Sequence, residues 1–205
     1  MIALSVAAGQ EDTQLVANED GALTTLRLGS LVPTGPDGLE IQLAELDAVI
    51  DSGDTHLNEQ DGITLRSVTG TGGLVDIFTG GDTVVQTIVG AEDAPMIISS
   101  SGGSILGDNA SLTGGDLRLF AFGGALSGVT TDSFTADTGD GNTLHLLARD
   151  DLSYTETAGD LRVAFALSDT GDLELDAPDG AMELGVLGAD GALSLEAEDR
   201  LTVNI

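Results

Sequence analysis

The residues best suited to chemistry lie in one glycine-rich stretch, DSFTADTGDGN, at residues 132–142. Asp137, Asp140 and Asn142 bring three oxygen ligands together in a short turn, and Ca²⁺ prefers ligands of this kind. One prediction is therefore a calcium ion held by these three side chains. The alternative is a solvated corner without an ion, because an EF-hand loop would need a second ligand where Gly139 stands and a glutamate to close it.

The two histidines do not form a recognisable catalytic or metal-binding pair. His145 alternates with Leu144 and Leu146, so strand geometry predicts that its side chain faces solvent. His56 is predicted to lie in a turn without a second ligand near it. The sequence has no serine-nucleophile motif or phosphate-binding loop and no cysteine, which excludes disulfides and thiolate chemistry. These features favour a non-enzymatic protein without a cofactor, apart from the calcium alternative.

Acidic residues dominate the charge of the chain. There are 35 aspartates and glutamates against 6 basic residues, all of them arginine, and the formal net charge is −29. A field of this sign repels phosphate backbones and anionic membrane surfaces, and no apolar run reaches the length of a transmembrane helix. We therefore expect neither nucleic-acid binding nor membrane insertion. Salt or divalent cations would relieve the self-repulsion, which favours an extracellular or cell-surface location.

Short strands are the elements that must position these side chains. From residue 161 to residue 205, apolar residues alternate with polar or small residues in a series of runs, which is typical of strands with one buried face. The runs begin at Leu161, Leu173, Met182, Leu193 and Leu201. Each run starts about 20 residues after the run two before it, and this period fits one coil of a β-solenoid. Stacked coils place Leu173 beside Leu193, whereas the alternative, an antiparallel sandwich, separates them.

The same pattern extends over most of the chain and divides it into two parts. Residues 61–205 are predicted to be solenoid repeats joined by glycine-rich turns, and residues 1–60 to be less regular coils or an N-terminal cap. Residues 39–50 permit either a helix or a strand, and we favour strand because the flanking segments share the β pattern. The prediction is a single elongated all-β domain with about 20 residues per coil.

The last apolar run, formed by Leu201, Val203 and Ile205, is not followed by a polar terminal repeat. Solenoids normally need such a repeat to cover the core of the last coil. We therefore predict that these three residues form an interface. The predicted partner is a neighbouring repeat of a longer chain or, by head-to-tail self-association, the region of residues 23–28 in another copy.

Residues 148–180 and 191–205 resemble the parallel β-helix repeats of filamentous-haemagglutinin-like adhesins and giant bacterial surface proteins. Those arrays repeat glycine–aspartate–apolar phrases, as in Gly159-Asp160-Leu161 and Gly171-Asp172-Leu173 here. The resemblance implies a right-handed β-helix that serves as a non-enzymatic stalk or spacer of a secreted or cell-surface protein. A self-assembling extracellular fibre subunit is an alternative function.

A carbohydrate-binding or carbohydrate-active β-helix is the other alternative. The neighbouring Asp150 and Asp151 resemble the paired acids of galacturonan hydrolases. Those enzymes also use a Gly-His-Gly element and an Arg-x-Lys pair to hold the sugar acid, whereas this chain has no lysine and His145 lies between leucines. The sequence therefore gives no support to catalysis of this type.

Overall fold

The computed structural model describes residues 14–17, 23–28, 39–41, 44–50, 54–70, 73–91, 94–139 and 141–204. These residues form strands, turns and bends without a helix. The strands are β1 Gln14–Ala17, β2 Leu23–Leu28, β3 Leu39–Ile41, β4 Glu45–Ile50, β5 Thr55–Glu59, β6 Ile63–Gly70, β7 Val75–Thr79, β8 Thr83–Val85, β9 Thr87–Val89, β10 Pro95–Ser100, β11 Ile105–Leu106, β12 Ala110–Thr113, β13 Asp116–Ala121, β14 Leu126–Ser127, β15 Phe134–Asp137, β16 Thr143–Ala148, β17 Leu152–Glu156, β18 Leu161–Ser168, β19 Leu173–Ala177, β20 Met182–Ala189, β21 Leu193–Ala197 and β22 Leu201–Val203.

The strands form two sheets that run along the molecule. The thirteen-stranded sheet, sheet 1, contains β1, β2, β4, β6, β8, β9, β11, β12, β14, β15, β17, β19 and β21. The nine-stranded sheet, sheet 2, has the order β22-β20-β18-β16-β13-β10-β7-β5-β3. All described pairings are parallel except that of β1 with β2.

Each coil contributes strands to both sheets before the chain returns to the first sheet. Leu173 pairs with Leu193 in sheet 1, and Leu161 with Met182 in sheet 2. Parallel strands stack about 21 residues apart over about seven turns, so the protein is a β-solenoid. The predicted solenoid is confirmed, and antiparallel hairpins between successive runs are excluded for the parallel-paired strands. The five runs predicted near the C-terminus begin at the first residues of β18 to β22.

The N-terminal part that was ambiguous in sequence is also built of strands. Residues 39–41 and 45–50 are β3 and β4, so the strand interpretation is confirmed and a helical cap at these residues is wrong. The pairings of β3 with β5 and of β4 with β6 are parallel. Coil stacking therefore extends across residue 60, into the region predicted to be less regular.

The core is a column of apolar side chains enclosed by the two sheets. Alternate residues point inward along most strands, as in the buried Leu117, Leu119 and Ala121 of β13. Its largest fully buried side chains include Phe134 and Tyr154, whose rings stack with their centroids 5.7 Å apart. Gly107 makes room for them, since a Cβ there would lie 2.6 Å from the Phe134 ring. The scarcity of aromatic residues fits a narrow bore filled mostly by aliphatic side chains.

One coil is longer than the others. Asn109 donates its N–H to Thr135 Oγ1 across 26 residues, whereas most side-chain bonds between coils span 20 to 22. The extra residues form a loop between β14 and β15. The neighbouring strands keep their parallel pairing, so the insertion lies outside the sheets.

A β-bulge in β18 reverses one prediction. Strict alternation from Leu161 through Val163 predicts that Phe165 lies on the same buried face. The register shifts so that Leu144 pairs with Val163 but His145 pairs with Phe165, and Ala166 takes the next inward position. A bulge places two residues opposite one, so Phe165 faces outward and is only partly buried.

Candidate functional sites at the corners and the glycine-rich turn

The predicted calcium ligands lie at the turn between β15 and β16. Asp137 Oδ1 accepts a hydrogen bond from Gly139 N–H at 2.9 Å, and the Asn142 side-chain amide donates to the Thr138 carbonyl. Asp140 lies outside the described residues. Gly139 and Gly141 have φ angles of 69° and 91°, which glycine adopts without strain.

Asp137 and Asn142 thus lie in the same turn, but their side chains hydrogen-bond to the backbone of that turn. Among the residues that the structure describes, no group of three histidine, aspartate or glutamate side chains is placed to hold a metal ion. Calcium at this turn stays a prediction.

A buried carboxylate lies beneath the same turn. Glu156 is 1% exposed and accepts hydrogen bonds from Thr138 N–H at 2.9 Å and Thr138 Oγ1 at 2.5 Å. Burial raises the pKa of Glu156, and the two bonds from Thr138 act in the opposite direction. Burial and the nearby Glu156 carboxylate raise the pKa of Tyr154 well above its usual range. The Tyr154 hydroxyl has no hydrogen-bond partner within the described part of the chain.

The extra loop of the long coil is anchored by Asp108. Its carboxylate accepts hydrogen bonds from the N–H groups of Val129 and Thr130, at 2.8 and 2.9 Å, and from the hydroxyls of Thr130 and Thr131, at 2.5 and 3.0 Å. The Thr130 hydroxyl is the largest of the influences that lower the pKa of Asp108. Because one carboxylate accepts four hydrogen bonds, this acidic residue serves to order the loop.

Aspartates at the coil corners connect each coil to the next. In these cases the aspartate directly precedes a strand, and one Oδ accepts a hydrogen bond from the N–H of the residue at the same position one coil later. The bonds join Asp54 to Leu74 at 2.9 Å, Asp82 to Ser104 at 2.8 Å, Asp151 to Asp172 at 2.9 Å, Asp160 to Ala181 at 3.0 Å, and Asp172 to Ala192 at 2.7 Å. Part of the acidic character of the chain is therefore structural.

Two serines at the ends of sheet 2 strands make the same pair of hydrogen bonds at their corners. Ser100 Oγ donates to the Gly81 carbonyl at 2.7 Å and accepts from Gly103 N–H at 3.1 Å. Ser168 Oγ donates to the Asp150 carbonyl at 2.6 Å and accepts from the glycine N–H three residues later at 3.1 Å. Both side chains are buried. The neighbouring acids at residues 150 and 151 thus belong to a corner that is closed by hydrogen bonds.

Both histidines lie on the outer face of sheet 2 and contact carboxylates. The outward orientation predicted for His145 is confirmed, and its Nε2 lies 3.4 Å from Asp116 Oδ1. Arg118 Nη2 lies 2.6 Å from the other oxygen of Asp116, and this hydrogen bond is the main cause that lowers the pKa of Asp116. The turn predicted at His56 is wrong, because His56 lies within β5, where its Nδ1 is 3.1 Å from Asp76 Oδ2.

The predicted interface residues lie on the last described coil. Leu201 and Val203 are 45% and 43% exposed, and Leu193 on the adjacent strand of the other sheet is 52% exposed. Ile205 lies outside the described residues. No described strand pairs with the second edge of β21 or of β22. The structure thus brings two of the three predicted residues to one end of the solenoid and adds Leu193 to them.

Two sets of residues with clear roles were not predicted from sequence. The corner aspartates have a recognisable signal, since aspartate directly before an apolar run recurs in Asp160-Leu161 and Asp172-Leu173. The buried corner serines share a spacing, with a glycine three residues after Ser100 and Ser168. Glu156 had no signal, because its burial depends on the turn between β15 and β16, where Thr138 donates two hydrogen bonds to it.

The fold defines the chain as a β-solenoid protein, and comparisons with known proteins add no narrower class. No family model matches it, and neither the curated proteins nor the solved structures contain a match. Within the described ranges there is no helix long and apolar enough to cross a membrane.

Proposed function

We propose that this chain is a stiff structural element, a non-enzymatic stalk or spacer of a secreted or cell-surface protein. The observation that carries this proposal is the continuity of the parallel ladders along the axis of the solenoid. From β5 to β22 every coil is hydrogen-bonded to the next in sheet 2, and the bore between the sheets is a single apolar cluster. A rod with these properties resists bending without a ligand or partner.

The corner bonds support this role because they make each coil depend on its neighbours. The aspartate of one coil caps a backbone N–H of the next, as in Asp151 to Asp172 and Asp172 to Ala192. A hydrogen bond from a backbone amide to a carboxylate contributes roughly 1–3 kcal/mol. The same carboxylates keep the rod soluble, and an ionic exterior would screen their repulsion.

The side chains that could do chemistry make hydrogen bonds or ion pairs that suit a structural role. Asp151 accepts a backbone N–H, His145 and His56 contact single carboxylates, and Glu156 lies buried under Thr138. This supports the non-enzymatic proposal over a carbohydrate-active one. Calcium at the glycine-rich turn would be a structural addition, and the test is whether a chelator lowers the melting temperature at constant ionic strength.

Stiffness is tested directly by distances between spin labels on sheet 1. Thr64 and Ser194 lie in one register column along the axis, with six strand spacings between them. Strands in a sheet lie about 4.8 Å apart, so we expect a backbone separation of about 29 Å. Because the chain has no cysteine, Thr64→Cys and Ser194→Cys introduce the only two labelling positions.

Pulsed electron paramagnetic resonance should give one narrow distance distribution for a stiff spacer, and a broad distribution would contradict the proposal. A screen of the unmodified chain against neutral and acidic polysaccharides provides the second test. Steady turnover of any polysaccharide would replace the structural proposal with the carbohydrate-active one.

A self-assembling fibre subunit is the second candidate function. The exposed apolar residues Leu193, Leu201 and Val203 favour it, together with the edges of β21 and β22 that no described strand pairs. Parallel addition of another coil would continue both sheets. Electron microscopy of the purified chain should then show filaments that lengthen along the solenoid axis. The variant Leu201→Glu should abolish these filaments.

A further inference from the structure

The outer face of sheet 2 carries an apolar patch that the core does not require. Register places seven bulky apolar side chains on this face, on successive strands from β7 to β20: Phe78, Ile97, Phe120, Leu147, Phe165, Leu167 and Val186. Phe78 and Val186 are strongly exposed, and the others are partly buried. These seven residues are called the outer patch below.

The distribution of phenylalanine shows how unusual this face is. The chain has five phenylalanines, and only Phe134 is fully buried in the bore. Three belong to the outer patch, and Phe122 lies beside it, 49% exposed, with its ring centroid 5.9 Å from that of Phe120. Large apolar side chains are expected inside a soluble rod, and a contiguous exposed group of them marks an interaction site.

The outer face of sheet 1 has a different character. Its outward positions are mainly threonine, serine and acidic residues, such as Thr64, Ser153 and Glu174. Burial is the largest cause that raises the pKa of Asp176 on this face, and the nearby Glu196 and Glu174 carboxylates raise it further. Like charges therefore accumulate on sheet 1, and no apolar patch interrupts them at the described positions from β17 to β21.

Carboxylates on the outer face of sheet 2 lie beside basic side chains. Each outward carboxylate on its described strands from β5 to β20 has a basic neighbour: Asp76 is 3.1 Å from His56, Asp116 is 2.6 Å from Arg118, and Glu183 is 3.9 Å from Arg162. Two of the six arginines and both histidines of the chain lie here. In a molecule with a net charge of −29, this is a face where a similar surface can approach without strong repulsion.

We propose that the outer face of sheet 2 docks against the same face of a second copy, so that two solenoids pack side by side. A basic partner would bind the acidic corners and sheet 1 instead. A second copy fits this face better, because the face is apolar and its few carboxylates lie beside basic side chains. The aliphatic Leu147, Leu167 and Val186 also offer little hydrogen bonding to a sugar. This lateral contact goes beyond the spacer proposal and does not depend on it.

The size of the face is sufficient for such a dimer. Nine strands about 4.8 Å apart make sheet 2 about 38 Å long, and five residues at about 3.3 Å make it about 17 Å wide. The face therefore covers roughly 650 Å² per copy, or about 1,300 Å² for both, at the lower end of the range for specific interfaces. We expect a dimer that dissociates on dilution.

The test is the molar mass of the full chain by sedimentation equilibrium at physiological salt, from about 1 μM to about 200 μM. The proposal predicts a rise from monomer to dimer. Val186→Glu, which places an uncompensated charge on the outer patch, should weaken dimerisation by at least about tenfold. The matched control is Val129→Glu on the loop between β14 and β15, because Val186 and Val129 are both exposed, at 65% and 51%.

Val129→Glu should dimerise like the unmodified chain. A second variant, Phe78→Ser, removes an exposed ring without adding charge and should weaken dimerisation in the same direction. The proposal is overturned if the unmodified chain stays monomeric over the whole range, if both glutamate variants behave alike, or if Leu201→Glu at the end of the solenoid abolishes association while Val186→Glu does not.

Discussion

Single carboxylates have different tasks in this protein, although the sequence presents them as one acidic population. Asp108 orders a loop, Asp151 and Asp172 cap amides of the following coil, and Glu156 is buried in the fold. A hydrogen bond from a backbone N–H to a carboxylate is worth more than one between neutral groups. Removing a capping carboxylate should therefore cost more than removing an exposed one.

The corner bond of Asp151 gives the first prediction. Asp151→Ala leaves the Asp172 N–H without its acceptor at 2.9 Å, and should lower the free energy of unfolding by about 1–2 kcal/mol. Asp151→Asn keeps an acceptor oxygen and should cost less. Asp169→Ala is the control, since it removes the same charge from an exposed corner side chain that has no hydrogen bond in the described structure. Urea denaturation that ranked Asp169→Ala with Asp151→Ala would contradict the structural role.

The pH dependence of stability gives the second prediction, at Glu156. Because burial raises its pKa in the folded state, the folded protein binds this proton more tightly than the unfolded chain does. The Glu156 contribution is therefore most favourable below the ordinary glutamate pKa and is lost as the pH rises through the higher folded-state pKa. Glu156→Gln, a neutral isostere, should thus gain stability relative to the unmodified protein as the pH rises.

Melting temperatures measured between about pH 4 and about pH 7 would show this difference. Glu198→Gln serves as the control, because it removes the same charge from an exposed position and should show no comparable trend. A difference between Glu156→Gln and the unmodified protein that stayed constant with pH would contradict a raised pKa at Glu156.

At the scale of the elements, the coil is the unit of construction. Leu173 pairs with Leu193, and Met182 pairs with Leu201, so β21 and β22 repeat the positions of β19 and β20. Corner glycines allow this close stacking: a Cβ on Gly102 would lie 2.4 Å from the Gly80 carbonyl oxygen, and one on Gly123 would lie 2.4 Å from the carbonyl carbon of Gly102. A deletion should therefore be tolerated only when it removes a whole coil.

Deleting one coil gives the third prediction. Removal of residues 173–192 joins Asp172 to Leu193 and places β21 where β19 was, with β22 in the place of β20. The variant should keep its β-sheet circular dichroism and a cooperative thermal transition, because every remaining pairing stays in register. The control removes residues 173–181, which places a strand of sheet 2 in sheet 1. This half-coil deletion should unfold at a lower temperature, and equal stability of the two deletions would contradict the coil model.

Much of this arrangement could be predicted from the sequence because the period of the apolar runs and the turn residues agree. Runs at Leu173 and Leu193 determine which strands pair, and strict alternation determines which side chains fill the bore. Phe165 shows where that reasoning ends, since a one-residue bulge reverses the face of a side chain without changing the pattern. The sites depend still more on contacts between coils, which explains why the roles of Asp108 and Glu156 were not foreseen.

At the scale of the molecule, charge and apolar surface are separated. Corners and the part of sheet 1 from β17 to β21 carry acids without a basic partner in the described structure, whereas the outward acids of sheet 2 lie beside His56, Arg118 and Arg162. A uniform charge of −29 would keep copies apart in every direction. The observed separation leaves one face able to associate while the rest of the rod repels.

The solenoid itself is tested most directly by disulfide cross-linking in a chain that has no cysteine of its own. Glu174 and Ser194 are register partners on adjacent parallel strands, where backbones lie about 4.8 Å apart, within the range that a disulfide spans. Glu174→Cys with Ser194→Cys should therefore cross-link within one molecule on mild oxidation. Glu174→Cys with Glu183→Cys should not, because β19 and β20 lie in different sheets. Efficient cross-linking of the second pair and failure of the first would show that successive runs form hairpins and would contradict the stacked coil.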